Sequence, residues 1–379
     1  MQFKVMHPLR GGGKALLQTW LADADIQING TRPWDLVVHQ PRFYARVLRG
    51  GSLGVGESYM DGDWDSAQLD RLLTCALGAR LDARLPTLAE HWLALRSWII
   101  NRQTVRRAFR VGEVHYDVGD DVYRAMLDPL MIYTCGYWPK ATNLAAAQIA
   151  KLDLVGRKLG LQPGMRVLDI GCGWGGAAAY LSTQFGVKVV GVTVSRNQAQ
   201  TARERTRGLD VEICFADYRA LGGQFDRIYS LGMFEHVGPR NYASYCATVR
   251  SLLVPDGLFL LHTIGNRIPR PANDPWIEKY IFPNSYVPAR SQLAAALEPC
   301  FVVEDWHSFG PDYDRTLMAW LGNFDAAWPR LAPHYGERFW RMWRYWLAVS
   351  AASFRVRDLD LWQVLLSPHG VPGGVPAVR

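Results

Sequence analysis

Residues 167–176, Val-Leu-Asp-Ile-Gly-Cys-Gly-Trp-Gly-Gly, join a short aliphatic run, an acid and a glycine-rich turn. Residues 177–185 predict a helix, so the pattern is strand, glycine turn, helix. In that arrangement, backbone N–H groups at a helix N-terminus face a ligand closely. Gly171, Gly173 and Gly176 satisfy the G-x-G-x-x-G pattern of dinucleotide-binding loops. This match is weak by itself, so the surrounding sequence must decide which cofactor is bound.

The residues around the turn distinguish between two cofactors. A dinucleotide site needs an acid at the end of the second strand, where it binds a ribose hydroxyl. Here the second predicted strand, residues 187–192, is followed by Thr193, and the acid Asp169 instead precedes the first glycine. S-adenosylmethionine has an ammonium-bearing amino-acid end and no pyrophosphate, so an acid and backbone carbonyls suit it better. The pattern favours S-adenosylmethionine over NAD.

Alternating strands and helices surround the turn. Strands are predicted at 187–192, 211–215, 226–230, 257–263 and 301–306, with helices at 120–127, 144–159, 197–207 and 242–252. This alternation predicts an α/β fold with a parallel, doubly wound sheet. Ligands of such sheets bind beyond the carboxyl ends of the strands. The candidate binding segments are therefore 171–176, 193–198, 217–219, 231–236 and 262–264.

The chain ends carry further segments. Residues 1–110 are predicted to form a small N-terminal domain, with a strand at 35–38, helices at 40–49, 66–79 and 87–100, and a flexible turn at 50–56. Residues 111–379 are predicted to form the catalytic domain. A proline-containing stretch, 268–288, predicts a lid or substrate wall. Residues 328–366 are rich in tryptophan and predict helix, with the rings packed in the core.

Four arginines lie close together near the end of the first predicted domain: Arg102, Arg106, Arg107 and Arg110. Arginines at i, i+4 and i+8 share one helix face, which could lie on an anionic headgroup layer. A solvated linker helix is the alternative interpretation.

The composition is that of a globular protein, with 49% hydrophobic and 20% charged residues and a net charge of +7. That charge permits an anionic membrane surface as partner without requiring one. The six cysteines show no C-x-x-C or zinc-like spacing, so reduced thiols, an intracellular location and no metal are expected. No signal peptide or uncharged run of membrane-spanning length is present, so any membrane contact should be peripheral.

An ordered set of motifs carries a family resemblance. It comprises His115-Tyr116-Asp117, Tyr133-Thr134-Cys135-Gly136-Tyr137-Trp138, residues 168–176, Gly191-Val192-Thr193-Val194-Ser195 with Gln198, Phe234-Glu235-His236, residues 261–265, residues 280–283, residues 312–317, Phe354-Arg355 and Leu361-Trp362-Gln363. With these motifs the chain resembles the bacterial cyclopropane-fatty-acyl-phospholipid synthases, which are relatives of the mycolic acid cyclopropane synthases. The resemblance implies a Rossmann-like class I S-adenosylmethionine-dependent methyltransferase fold with a smaller N-terminal domain.

The resemblance also implies a reaction: methylene transfer from S-adenosylmethionine to the cis double bond of an unsaturated phospholipid acyl chain. Methyl transfer to an alkene leaves a carbocation, which must lose a proton and close to a ring in a dry site. The family's base is taken to be a bound bicarbonate ion. Its matching positions here are Cys135, Glu235, His262, Ile264 through its backbone, and Tyr313, and the ring of Tyr116 is expected to stabilise the cation.

Cofactor contacts carry over from the family in the same way. Tyr133 and Thr134 are expected at the methionine end, Thr193 and Gln198 at the ribose, and Asp217 and Tyr218 beside the adenine. Gly171 and Gly173 allow close backbone approach, and Asp169 orders the turn or contacts the ligand.

Four residues of the predicted catalytic group also have a purely structural interpretation. Cys135 suits a buried filler, His262 a satisfied core histidine, Glu235 a helix cap and Tyr313 a surface position. The resemblance, rather than spacing, favours the functional roles.

The resemblance implies partners as well. These are inner-leaflet phospholipid, a peripheral membrane surface for a cytoplasmic protein, a second copy in a homodimer, and no nucleic acid. Three alternatives remain open at this point: a fatty-acyl C-methyltransferase giving a methyl-branched or methylene product, a non-catalytic lipid-binding protein, and a methyltransferase of soluble small molecules.

Overall fold

A computed structural model describes residues 13–84 and 119–379. The predicted helix at 87–100, the group of four arginines and Tyr116 lie outside the described residues, so these remain predictions. No helix in the described ranges is long and apolar enough to cross a membrane.

The N-terminal part is mainly helical. It consists of helix α1 (Gly13–Asp23), strand β1 (Val37–Val38), helix α2 (Arg42–Met60), strand β2 (Trp64–Asp65) and helix α3 (Leu69–Gly78), with β1 and β2 paired antiparallel. The prediction of a flexible turn at 50–56 is wrong, because α2 continues through it with a kink at Gly51 (φ 51°, ψ −133°). A Cβ at Gly56 would lie 2.3 Å from the Trp276 ring, so that glycine allows close packing.

The remaining described chain forms a seven-stranded sheet flanked by helices. Its strands are β3 (Arg166–Ile170), β4 (Lys188–Thr193), β5 (Val211–Phe215), β6 (Phe225–Leu231), β7 (Leu253–Asn266), β8 (Val302–Ser308) and β9 (Leu359–Ser367). Their order is β5-β4-β3-β6-β7-β9-β8. The helices are α4 (Asp120–Met126), α5 (Leu144–Lys158), α6 (Gly176–Phe185), α7 (Arg196–Arg205), α8 (Tyr242–Leu252), α9 (Pro275–Tyr280), α10 (Arg290–Leu297) and α11 (Pro311–Arg355).

The predicted α/β class is confirmed, but the sheet is not wholly parallel. β9 pairs antiparallel with β7 on one side and with β8 on the other. The prediction that residues 328–366 are helical is therefore wrong over its last part. Residues 361–366 are buried in the sheet, and periodicity cannot distinguish a continuous apolar run in a strand from one in a buried helix.

Local sequence explains where the helices near the site begin. Asn143 caps α5 by accepting a hydrogen bond from the Ala146 amide through its side chain. Ser195 caps α7 in the same way, with its hydroxyl accepting from the Gln198 amide. Such caps satisfy N–H groups that the first turn of a helix leaves unpaired.

One core joins the N-terminal helices to the long helix α11. Tyr59 packs against Tyr345, with ring centroids 5.7 Å apart. Arg355 bridges Asp70 and Asp314 with hydrogen bonds of 2.8–2.9 Å. The N-terminal helices therefore pack directly against a helix of the predicted catalytic domain.

Candidate functional site

The glycine turn after β3 is tightly folded and open on one side. Gly171 and Gly173 have φ values of 88° and 53°, which glycine adopts at little cost. The amides of Gly171 and Cys172 both donate to the Val192 carbonyl, at 2.9 and 3.0 Å. A Cβ at Gly173 would meet no protein atom within 4 Å. The turn can therefore accept a ligand close to its backbone.

Asp169, at the end of β3, is buried. Its Oδ2 accepts a hydrogen bond of 2.9 Å from the Tyr229 hydroxyl. Burial raises the pKa of this carboxyl to about 7. The carboxylate is thus poorly compensated by the protein, and a cationic ligand group would favour its charged form.

The ends of β4 and β5 supply the next polar groups. The Thr193 hydroxyl donates to Gln198 Oε1 at 2.9 Å, and it also accepts from the Ser195 amide. The Asp217 carboxylate accepts from the Arg219 guanidinium at 2.6 and 2.8 Å. Parallel strands end at one edge of the sheet, which is why these residues meet the glycine turn.

The segment before α5 holds Tyr133 and Thr134. Tyr133 packs against Tyr123 and Trp320, with ring centroids 5.2 and 5.3 Å apart. Thr134 is held from α5, because Gln148 Nε2 donates to its carbonyl at 2.7 Å and Lys151 Nζ to its hydroxyl at 2.9 Å.

A single cavity of about 560 Å³ joins these groups. All nine predicted cofactor residues line it: Tyr133, Thr134, Asp169, Gly171, Gly173, Thr193, Gln198, Asp217 and Tyr218. Of the predicted catalytic residues, Glu235, Ile264 and Tyr313 line it too. Within the described chain, Cys135 and His262 are not among the lining residues.

Glu235 lies on a 3₁₀ turn, Phe234–His236, after β6. Its Oε1 accepts a hydrogen bond of 2.7 Å from the Ile264 amide. Its Oε2 is buried and accepts no hydrogen bond of acceptable geometry within the described residues, because the nearby Thr263 hydroxyl donates instead to the Ile264 carbonyl at 3.1 Å. Burial raises the pKa of Glu235 to about 7. The Ile264 backbone thus positions the carboxylate and leaves one oxygen for another partner.

His262 and Ile264 are two residues apart on β7, so their side chains lie on the same face of the sheet. The His262 ring is buried, and its Nδ1 lies 3.3 Å from Gln363 Nε2 on β9. Its Nε2 contacts no hydrogen-bonding group in the described parts of the chain. Burial holds the pKa of His262 well below its usual range, so the imidazole is neutral.

Cys135 and Tyr313 complete the predicted catalytic group. The Cys135 thiol is fully buried and donates to the Gly136 carbonyl at 3.1 Å. Burial raises its pKa well above the usual range, so it is a protonated thiol rather than a nucleophile. Tyr313 is also buried, and burial raises its pKa well above the usual range.

The cavity continues into an apolar lobe. N-terminal residues line it, including Leu17, Trp20, Phe43, Val47, Leu72, Leu73, Ala76 and Leu77. Trp276 and Phe282, from the predicted lid or wall at 268–288, and Trp346 and Phe354 of α11 line it as well. Polar groups at the sheet edge and an apolar lobe thus share one continuous space.

The sequence analysis missed two residues of the site, Lys151 and Gln148, which sit three positions apart on α5. Both are fully buried, although most buried positions of that helix are apolar. Polar residues on the buried face of this helix, which are Gln148, Lys151 and Lys158, were the available signal. The described residues contain no group of three or more His, Cys, Asp or Glu that could hold a metal ion.

Known proteins resemble this chain over its sequence and its fold. Residues 103–364 match the family model described as mycolic acid cyclopropane synthetase. The chain is 52% identical over 360 residues to the cyclopropane-fatty-acyl-phospholipid synthase of Escherichia coli K12, covering 95% of this chain and 94% of that protein. It is 35% identical over 364 residues to the tuberculostearic acid methyltransferase UfaA1 of Mycobacterium tuberculosis, covering 89% of this chain and 84% of that protein.

Solved structures give the same relationship. The cyclopropane synthase MmaA2 of Mycobacterium tuberculosis aligns with a TM-score of 0.64 at 33% identity, over 68% of this chain and 97% of that one. The mycolic acid cyclopropane synthase CmaA1, complexed with S-adenosylhomocysteine and CTAB, aligns equally well. The predicted Rossmann-like methyltransferase fold is therefore confirmed. The chain belongs to the mycolic acid cyclopropane synthetase family of S-adenosylmethionine-dependent transferases.

Proposed function

We propose that this enzyme transfers a methylene group from S-adenosylmethionine to the cis double bond of unsaturated phospholipid acyl chains, forming a cyclopropane ring. The main observation that supports this proposal is the single cavity that runs from the glycine turn, past Glu235 and Tyr313, into an apolar lobe. The name of the Escherichia coli relative supports the phospholipid as substrate.

The reaction explains why the site combines polar groups at the sheet edge with an apolar lobe. S-adenosylmethionine supplies the methyl group, and S-adenosylhomocysteine leaves. The alkene's π electrons form the new C–C bond, and the resulting cation closes the ring when the new methyl group loses a proton. Apolar walls such as Phe282, Leu317 and Trp346 exclude water that would trap the cation. The open side of Glu235 gives the released proton a polar destination.

We propose a bound bicarbonate ion beside Glu235 as the base. Two buried atoms without hydrogen-bonding partners in the described chain, Glu235 Oε2 and His262 Nε2, suit an ion that both donates and accepts hydrogen bonds. As the family resemblance implies, Glu235, His262, Tyr313 and Cys135 would hold it, with the Ile264 amide positioning Glu235. When bound, it would supply the base for deprotonation.

Removing dissolved bicarbonate should slow turnover by about tenfold, because proton removal then lacks a positioned base. The measurement is S-adenosylhomocysteine release in carbon dioxide-free buffer, followed by restoration with added bicarbonate at constant pH. Binding of S-adenosylhomocysteine serves as the control and should not change. A turnover rate indifferent to bicarbonate would remove the ion from the proposal.

Narrowing the apolar lobe tests the acyl-chain assignment. Ala76→Phe adds a ring where Ala76 lines the lobe, so turnover on dioleoyl phospholipid vesicles should fall about tenfold or more through overpacking. Affinity for S-adenosylhomocysteine should stay the same. Ala79→Phe, three residues further along and outside the lining, is the matched control. Equal loss of turnover in both variants would speak against an acyl chain in this lobe.

Action on a membrane lipid implies that the enzyme works at a membrane surface, as a cytoplasmic protein bound peripherally to the inner membrane. The net charge of +7 supports contact with an anionic leaflet. We also propose a homodimer, since two copies of a weak membrane-binding face bind more tightly than one.

A second candidate is a fatty-acyl C-methyltransferase. The 35% identity to the tuberculostearic acid methyltransferase UfaA1 favours it, because that match also covers most of both chains. Mass spectrometry of the lipid product distinguishes the two activities. A cyclopropane adds one CH₂ and resists mild hydrogenation, an exomethylene adds one CH₂ and takes up hydrogen, and a saturated methyl branch adds CH₄.

A further inference from the structure

Lys151 is a fully buried lysine on the inward face of α5. Its Nζ lies 2.9 Å from the Thr134 hydroxyl oxygen. Thr134 lines the cavity at the sheet edge, whereas Lys151 itself does not. A buried ammonium is costly, so its retention beside a cavity residue calls for a physical reason.

The direction of this hydrogen bond determines what Thr134 can do. An ammonium group has three donors and no acceptor, so Lys151 must donate and the Thr134 oxygen must accept. The hydroxyl proton of Thr134 is then left to be donated elsewhere. Lys151 thus makes Thr134 a hydrogen-bond donor, and it polarises that donor with a positive charge.

The rest of Thr134 is also held in place. Gln148, one helical turn before Lys151, donates to the Thr134 carbonyl at 2.7 Å. The Thr134 methyl group packs against Gly232, where an added Cβ would lie 2.7 Å from it. Three contacts from two elements therefore fix the orientation of one half-buried hydroxyl.

The charges around Lys151 keep this arrangement charged. Burial lowers its pKa to about 8, while the nearby Asp128 and Asp169 carboxyls oppose that shift. Asp128 is in turn held by the amides of Leu130 and Ile132, both at 2.9 Å. Since a pKa near 8 lies above neutral pH, the ammonium form predominates there.

We propose that Lys151 is a positioning residue for the amino-acid end of S-adenosylmethionine. It directs the Thr134 hydroxyl to donate to the donor's carboxylate, while the buried Asp169 across the same cavity favours its ammonium. This inference rests on the assignment of Thr134 to the methionine end in the proposed site. Through Thr134, Lys151 favours ligands that carry the intact amino-acid group over ligands that lack it.

The test measures binding of two ligands by isothermal titration calorimetry: S-adenosylhomocysteine, and 5′-methylthioadenosine, which lacks the amino-acid end. Lys151→Met keeps the length of the side chain and removes its charge and donors. It should weaken S-adenosylhomocysteine binding about tenfold or more and leave 5′-methylthioadenosine binding unchanged. Equal weakening of both ligands, or of neither, would overturn the proposal.

Lys158→Met is the matched control. Lys158 lies seven residues along the same helix and is also buried, but it contacts His307 and Asp305, at 3.1 and 3.3 Å, away from the cavity lining. Its loss should lower stability without changing either affinity. If Lys158→Met weakened S-adenosylhomocysteine binding as much as Lys151→Met does, the effect of Lys151 would be merely structural.

Thr134→Val supplies a second test that does not depend on folding of the Lys151 variant. It removes the hydroxyl at nearly constant shape and should cause the same selective loss, whereas Thr134→Ser should retain affinity. In the double variant, Lys151→Met should add less than twofold to the effect of Thr134→Val. Fully additive losses would show that Lys151 does not act through Thr134. Lipid turnover is not measured, so a failure of the cyclopropanation proposal would leave this result intact.

Discussion

Glu235→Gln is expected to reduce turnover by about a hundredfold or more, because a neutral amide cannot take up or share the proton that the reaction releases. Glutamine can keep the hydrogen bond from the Ile264 amide, so the fold of the turn should persist. The measurements are S-adenosylhomocysteine release with unsaturated phospholipid vesicles, and the S-adenosylhomocysteine Kd, which should change less than twofold. Wild-type turnover in this variant would exclude Glu235 from the reaction.

The same substitution should stabilise the folded protein at alkaline pH. Burial raises the pKa of Glu235 from 4.5 to about 7, so between those values the folded state retains a proton that the unfolded state has lost. The ionised Glu235 carboxylate therefore destabilises the folded wild-type protein. This destabilisation is absent below pH 4.5, grows as the pH rises, and is complete above about pH 7. It reaches at most about 3 kcal/mol by the linkage relation.

Urea denaturation at about pH 5 and pH 8 measures this effect. Glu235→Gln should raise the free energy of unfolding at pH 8 and change it much less at pH 5, where the wild-type carboxyl is mainly protonated when folded. A variant that is less stable than wild type at pH 8 would show that the ionised carboxylate is well compensated. If Glu235→Gln gains stability and loses turnover, the carboxylate is retained for its function in the reaction and not for stability.

Gly173→Leu is expected to abolish cofactor binding, with S-adenosylhomocysteine affinity reduced about a hundredfold or more, because the side chain takes the ligand's place. A Cβ at Gly173 meets no protein atom within 4 Å, and Gly173 lines the cavity. The protein therefore has room for the added side chain, but that side chain occupies space that the ligand needs. Calorimetric titration and thermal melting measure the two effects separately.

Gly164→Leu is the control for backbone strain. Gly164 precedes β3, has a φ of 83°, and also leaves open space around an added Cβ, but it does not line the cavity. Both variants should lose about 1–2 kcal/mol of stability from placing a side chain at positive φ. Only Gly173→Leu should lose affinity. Unchanged binding in Gly173→Leu would place the cofactor elsewhere.

The sequence predicted most of the sheet because its strands are short and bounded by turn residues. The strand at 211–215 and the helix at 242–252 have the bounds of β5 and α8 in the structure. The order of strand, glycine turn and helix also predicted that the segments after β3, β4 and β5 meet at one sheet edge, where Gly171, Thr193 and Asp217 line one cavity. These features are local, so composition and periodicity within about ten residues suffice to predict them.

Contacts between distant residues could not be predicted in this way. Nothing in the apolar run of β9, which the sequence analysis predicted as helix, shows that it inserts antiparallel between β7 and β8 and brings Gln363 to His262. The bond from Lys151 to Thr134 joins a helix to the loop before it, and a helical pattern alone suggests only packing for such a residue. Their pairing depends on how the elements pack.

The sequence by itself determined the α/β class, the position of the glycine turn and the family. Only the tertiary structure decided that Glu235 turns one oxygen to Ile264 and leaves the other buried without a partner in the described chain. It alone joined the N-terminal apolar lobe to that carboxylate in one cavity. The physical reason is that burial and solvation, which set pKa and reactivity, are properties of the packed chain and not of local sequence.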